Sequence, residues 1–349
     1  MSWLSNLFNN WGQNGGATKD PIDHRDLLLN EIVGGGDLPA LPADFKLGYL
    51  FPVKNQGRTW SCVAQATAAH KQFQEGAHLS AKFIYKLCKQ NDGLATKGTY
   101  TRFGVKTLVD YGVCEERLLP EADTQDEVSY LDFLVTQAEL DNAKQYKSAR
   151  YISCGVFDLT VQPDTFTTKL HESIKRGLYT YKQPVVIAIP WADNYQPMKD
   201  GLLPMPSANI KYGHALLCVG WNSNNELMLL NSWGENWGLH GYCFLRPEAP
   251  KFDAWTTIDV KDDEIPLPIK PTTKDVNLER RKALELRTYL YLHFNKADVA
   301  RSWAGKNWLQ LVKSYSYDGY SLTDLTNYIY SASRNLTLPF DLSKQRNQQ

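Results

Sequence analysis

Three side chains in this sequence are of the types, and stand in the local settings, that acyl chemistry needs: Cys62, His214 and Asn231. Cys62 closes the run Val53-Lys54-Asn55-Gln56-Gly57-Arg58-Thr59-Trp60-Ser61 and opens a stretch that reads as a helix. A cysteine at a helix N-terminus gains from the helix dipole and from free backbone N–H groups, so its thiolate is favoured. His214 lies in Gly213-His214-Ala215, and Asn231 opens Asn231-Ser232-Trp233-Gly234-Glu235-Asn236-Trp237-Gly238. An imidazolium beside the thiol lowers its pKa further, and the resulting Cys62–His214 ion pair is ready to attack an amide carbonyl. His214 then supplies the proton that the leaving amine requires. Asn231 can accept from the other ring nitrogen and so fix the tautomer, as the third member of a triad does. Gln56 can aim its side-chain amide at the tetrahedral oxyanion beside the backbone N–H of Cys62; one such donor is worth about 3 kcal/mol.

These segments together resemble the papain-like cysteine peptidases, the C1 family, over about Leu41 to Val260. His214 follows Cys62 by 152 residues and Asn231 by 169, near the spacing of about 130–150 found in that family. The resemblance implies a papain-like two-lobed α+β fold, a helical lobe plus a β-barrel-like lobe. It also implies that Trp233 roofs the His214–Asn231 hydrogen bond and that Ala215 lines the pocket for the second substrate residue. The local pattern departs from the family's usual one at three positions. Thr59 stands where a disulfide-bonded cysteine is usual, Trp60 where a glycine borders the cleft, and Val63 where an aromatic is usual. Ser61-Cys62-Val63-Ala64, Leu79-Ser80, Gly98-Thr99 and Tyr111-Gly112-Val113-Cys114 resemble a bacterial-type branch. The double glycine that pairs with substrate backbone is not evident, and Gly98 and Thr99 are its candidates. Trp60 is expected to narrow access, form a new subsite, or mark a retired enzyme.

The elements that must position these groups are partly legible. Cys62 to Glu75 is rich in Ala and Gln without Gly or Pro, which predicts a helix. Arg102 to Tyr111, stopped by Gly112, predicts a second, and Lys169 to Arg176, stopped by Gly177, a third. After Pro184 the pattern turns to short β-rich runs at Val185–Ile189, His214–Trp221, Glu226–Asn231 and Gly241–Leu245. Helices first and strands later indicate two packed halves. The expected order is a leader over 1–40, a peptidase domain over 41–262, a Pro-rich linker over 263–274 and a helical C-terminal module over 275–349. Trp3, Leu4, Leu7, Phe8 and Trp11 fall on one helical face in the leader. No long inhibitory propeptide is recognisable before Leu41, and nothing in residues 1–40 demands that they occlude a cleft.

Composition excludes several classes. The 349 residues are 43% hydrophobic and 22% charged, enough for a sizeable core. The 38 basic residues balance 38 acidic ones, so the whole-chain field that draws in nucleic acid is absent and no nucleic-acid partner is expected. The balance hides a split: residues 270–349 carry 13 Lys and Arg against 7 Asp and Glu. No apolar run approaches the 18 or so residues of a membrane span, and the N-terminus lacks the marks of a secretion signal. A cytoplasmic location, or one inside a larger particle, is expected. Six cysteines are too sparse for a disulfide scaffold and fit a reducing compartment. No metal-binding or phosphate-cradling motif occurs, so neither a metal nor any other cofactor is expected. The expected function is a cysteine endopeptidase acting on peptide or isopeptide bonds of a peptide or protein substrate. Protein partners could dock through the C-terminal module or the N-terminal amphipathic face. The other function class in view is a structural or binding subunit of a larger assembly, for example a phage particle, that keeps the fold with little or no activity. Trp60, the N-terminal face and the aromatic tail give that class its weight.

Overall fold

The computed structural model describes residues 16–23, 25–29, 40–48, 52–121, 126–156 and 163–259. The amphipathic face of residues 3–11, the linker over 263–274 and the module over 275–349 lie outside the described residues.

One half is helical: α1 (Cys62–Glu75), α2 (Ala81–Asn91), α3 (Thr101–Asp110), α4 (Glu127–Leu131) and α5 (Gln137–Ala143). Helix α1 is buried from Cys62 through Gln72. Its many small side chains let its backbone pass close to the sheet and to α2 alike. Two of its buried titratable side chains, His70 and Lys71, are partnered. His70 donates from Nδ1 to Pro184 O at 3.0 Å and accepts at Nε2 from Thr257 Oγ1 at 2.7 Å. Lys71 bonds to Glu75 at 2.6 Å and also to Asp259. Gly76, in the left-handed conformation, ends the helix by donating to Gln72 O. Ser80 caps α2 by accepting from Phe83 N–H. The helical core gathers Phe83, Ile84, Tyr85 and Leu87 with Leu108, Val113 and Tyr130.

The other half is a sheet. Strands β4 (Arg150–Val156), β5 (Val185–Ala192), β6 (Ile210–Trp221), β7 (Leu227–Leu230), β8 (Tyr242–Leu245) and β9 (Asp253–Ile258) run in the order β4-β9-β5-β6-β7-β8, and β2 (Phe45–Lys46) pairs with β6. Every pairing in it is antiparallel. Strand β5 is buried at all eight positions, so its sequence is continuously apolar where a half-exposed strand would alternate. The α+β reading holds, as do the helix at Cys62–Glu75 and the stop at Gly112.

Two expectations are corrected. The helix read over Lys169–Arg176 is α6, Pro163–Tyr181, and it runs through Gly177. A Cβ on Gly177 would lie 3.0 Å from Cys154 Sγ and 3.2 Å from Leu29. The glycine is there for close packing, which the sequence cannot distinguish from a stop. Residues 16–29, read as loose leader, pack into the fold. Ala17, Asp20, Asp26 and Leu29 are all buried, and β1 (Ala17–Thr18) pairs in parallel with β3 (Thr99–Tyr100).

Candidate active site

Cys62 is the first residue of α1, on the helical side, while His214 and Asn231 come from β6 and from the end of β7 on the sheet side. The N-cap residue Ser61 makes no side-chain cap, so the first-turn amides of α1 are not claimed by its hydroxyl. The backbone N–H of Ala215, next to His214, points at Cys62 Sγ from 3.4 Å. His214 Nε2 donates to Asn231 Oδ1 at 2.7 Å, and the same oxygen accepts from Ser232 N–H at 2.8 Å. Two donors on one oxygen fix the amide's orientation and hence the imidazole tautomer. Nδ1 is left as the nitrogen for proton exchange.

Gln56 is sewn to the opposite half. Its N–H donates to Ser232 O at 2.9 Å, and its Oε1 accepts from Ser232 Oγ at 2.8 Å. The Thr59 carbonyl, which can only accept, determines which end of the amide is Nε2. Nε2 donates one hydrogen to Thr59 O at 2.8 Å, and an amide nitrogen has a second. Thr59, in the position of the expected disulfide cysteine, bonds instead to Gln56 O and Ser61 Oγ. All six cysteines are free.

Trp233 lies 4.7 Å from the His214 ring at a tilt of 33°. Trp191 meets His214 edge-on at 4.9 Å and Trp233 at 4.8 Å, and Trp237 meets Trp233 at 5.3 Å. Sequence reasoning missed Trp191. It is the end of a long apolar run, and only pairing with β6 brings it beside the histidine.

Cys62 is 0% and His214 2% exposed, and burial governs both. It pushes the Cys62 thiol up to about 12 against the backbone amides that favour the thiolate. It holds His214 down to about 4 against the Asn231 hydrogen bond. Burial of both groups therefore works against the expected ion pair in this conformation. Burial also raises the other five thiols, so Cys62 has no advantage over them while it is enclosed.

What encloses it is the chain's own N-terminal segment. A Cβ on Gly16 would stand 2.5 Å from Cys62 Sγ and 3.1 Å from Trp60 O. Gly16 O accepts from Thr99 N–H at 3.2 Å. Thr99, a candidate for pairing with substrate backbone, is thus paired with an extended chain, and Gly98 before it has the left-handed φ of 77° that only glycine adopts freely. Trp60 lies beside the cleft with its ring 5.5 Å from that of Tyr212, edge to face. Glu127 accepts from Trp60 N–H and from the Tyr85 hydroxyl. Tyr212, Glu127, Tyr85 and Gly16 had no signal in the sequence beyond their types. Among the described residues no group of three or more His, Cys, Asp or Glu could hold a metal, and no helix is long and apolar enough to cross a membrane.

A helical half and an antiparallel sheet that meet at a helix-borne cysteine and a histidine held by asparagine define a cysteine peptidase of papain-like architecture. The profile described as papain family cysteine protease matches residues 43–252, and the chain belongs to that family. It is 28% identical over 238 residues to a peptidase C1-like protein of Acanthamoeba polyphaga mimivirus, covering 60% of this chain and 70% of that one. It is 26% identical to cysteine proteinase 1 of Dictyostelium discoideum, covering 65% and 67%. Among solved structures, xylellain, a cysteine protease from Xylella fastidiosa, has the same fold at a TM-score of 0.56 and 24% identity, covering 71% of this chain and 97% of that one.

Proposed function

We propose that this peptidase hydrolyses peptide or isopeptide bonds through Cys62 as nucleophile, His214 as acid and base, Asn231 as the group that orients the histidine, and Gln56 as an oxyanion donor. His214 Nδ1 takes the thiol proton, and the sulfur forms a bond to the substrate carbonyl carbon. The carbonyl oxygen becomes an oxyanion, met by the second hydrogen of Gln56 Nε2 and the N–H of Cys62. The C–N bond then breaks as His214 returns the proton to the leaving amine. Water, deprotonated by His214, attacks the thioester and releases the acid and the free thiol. The observation that carries this reading is the 2.7 Å bond from His214 to an asparagine oxygen whose orientation Ser232 fixes.

Residues 16–18 give the reading a second part: the enzyme is latent while they are seated. Gly16 against Cys62 Sγ and Ala17 paired with Thr99 leave no room for a substrate on the sulfur. Seating also removes the water that would support an ion pair.

The test is cleavage of a mixed peptide library by the wild type and by Cys62→Ala, with mass spectrometry of both substrate and enzyme. Loss of all cleavage in Cys62→Ala supports the assignment. Unchanged cleavage by that variant overturns it.

A further inference from the structure

We infer that this peptidase selects glycine as the residue whose carbonyl is attacked, and that Trp60 and Tyr212 enforce the selection by closing the cleft from opposite sides. The inference rests on the reading of Cys62 as nucleophile and names the substrate class of that site: peptides and proteins with an unhindered glycine before the bond that is cut.

Three observations converge. First, the one stretch of chain seen on the sulfur presents a glycine there. A side chain at Gly16 would stand within 2.5 Å of Sγ, with the Trp60 carbonyl only 3.1 Å away on another side. The residue that acylates a thiol must bring its carbonyl carbon to bonding distance of the sulfur, so its Cα occupies this same neighbourhood. Any Cβ turned toward Trp60 O or the sulfur meets filled space.

Second, the outward escape for a side chain is bridged. Trp60 belongs to the segment before Cys62 on the helical side. Tyr212 belongs to β6, two residues before His214 on the sheet side. Their rings meet edge to face at 5.5 Å, and Tyr212 lies 6.4 Å from the His214 ring. The pair therefore joins the two walls next to both reacting groups. An aromatic pair in this geometry is favourable beyond its buried area, and a bulky side chain between the rings would forfeit it.

Third, Trp60 is not free to swing away at its root. Its N–H is held by Glu127 at 2.8 Å, and Glu127 is itself bonded to the Tyr85 hydroxyl in the helical core. Tyr212 is held on the other side by its pairing with Trp191 across β5 and β6. The backbones that carry the two rings are thus anchored on both walls.

The experiment uses the full chain and peptides that differ only at the residue before the scissile bond, Gly, Ala, Leu or Arg, each as a fluorogenic substrate and as a vinyl methyl ester that alkylates the nucleophile. Wild type is expected to favour glycine over leucine and arginine by about 100-fold in kcat/KM and in labelling rate of Cys62, the size of discrimination that a filled pocket gives against added methylenes. Trp60→Gly, and separately Tyr212→Ala, should reduce that ratio to below about tenfold by admitting the larger residues. Two variants on different walls guard against one that fails to fold. Equal rates for Gly and Leu in wild type, or an unchanged ratio in both folded variants, overturn the inference while leaving Cys62 as nucleophile. Cleavage retained by Cys62→Ala, or labelling at a residue other than Cys62, overturns both the inference and the reading beneath it.

Discussion

Glu127 holds the backbone of Trp60: one carboxylate oxygen accepts from the Trp60 N–H at 2.8 Å while the other accepts from the Tyr85 hydroxyl. Tyr85 Oη in turn accepts from Gly98 N–H at 2.9 Å. The chain Trp60–Glu127–Tyr85–Gly98 thus ties the loop before the nucleophile to the strand edge at Thr99. Thr59 offers no disulfide to make that connection, and a carboxylate with two charge-assisted bonds makes it by other means. Tyr85→Phe removes the acceptor for Gly98 and frees one oxygen of Glu127. The expected outcome is a KM for peptide substrates raised about tenfold with kcat little changed, since the edge that pairs with substrate loosens while the sulfur and imidazole stay in place. Equal losses in kcat and kcat/KM would place Tyr85 in the chemistry instead.

Removal of residues 1–18 is expected to convert the latent enzyme to an open one. The cut leaves Asp20 and its partners in the fold, yet takes away Gly16, Ala17 and Thr18 from the sulfur and from Thr99. Water then reaches Cys62 and His214, the cost of charging them falls, and the thiolate–imidazolium pair forms. Alkylation of Cys62 by iodoacetamide at pH 6–7 should rise by about tenfold or more over the full chain, the other five thiols remaining slow. Peptide mapping of the alkylated protein reads this directly, and no change in the Cys62 rate would show that residues 16–18 are not what encloses it.

The second hydrogen of Gln56 Nε2 gives a separate expectation. Gln56→Ala should lower kcat by about 100-fold or more, the usual effect of losing one oxyanion donor. Gln56→Glu should do no better, because a carboxylate has no hydrogen to offer and repels the developing charge. Pre-steady-state acylation rates locate the loss in the first chemical step. A variant that loses KM alone would make Gln56 a binding residue.

How far the sequence carried depended on whether a function was written in contiguous residues. The run ending at Cys62 and the run beginning at Asn231 are each short stretches in which several neighbours serve one site, so their types and order were informative. Ser232 and Trp233 act on Gln56 and His214 from directly beside Asn231. Glu127, Tyr85 and Tyr212 act from positions whose neighbours do something else. Tyr85 is one position of a helix core, and Glu127 opens the short helix α4. Gly16 lies within the expected leader, and a glycine needed for close approach looks there like one needed for a turn. The ion pair between Cys62 and His214 was expected from residue types, whereas the burial that works against it comes from packing, including that of Gly16, which local sequence does not connect to the site.

A cluster of carboxyl groups makes the seating of that N-terminal segment depend on pH. Asp20 accepts from Arg102 N–H at 3.0 Å and from Trp255 Nε1 at 2.8 Å, and its own N–H donates to Asp253. Burial lifts Asp20 to about 7 despite the opposing charge of Arg102. Asp253 is raised well above the ordinary range by the same burial and by Asp20. Asp26, salt-bridged to Arg102 at 2.5 Å, is also raised to about 7, burial again outweighing Arg102 and Asp23 adding to it. Lys19, Arg25 and Arg102 are the cations that face this group, and Asp23, bonded to Arg25, stays ionised. A carboxyl held above its unfolded value stabilises the packed state fully below about pH 4, and that contribution is lost as pH rises through about 7. Residues 16–29 should therefore exchange their amide hydrogens more slowly, relative to the intrinsic rate, at pH 5 than at pH 8. Asp20→Asn should flatten that dependence by removing one of the coupled groups. Exchange measured by mass spectrometry on the N-terminal peptides gives the readout, and a segment that tightens toward pH 8 would reverse the sign and remove the carboxyl cluster as its cause.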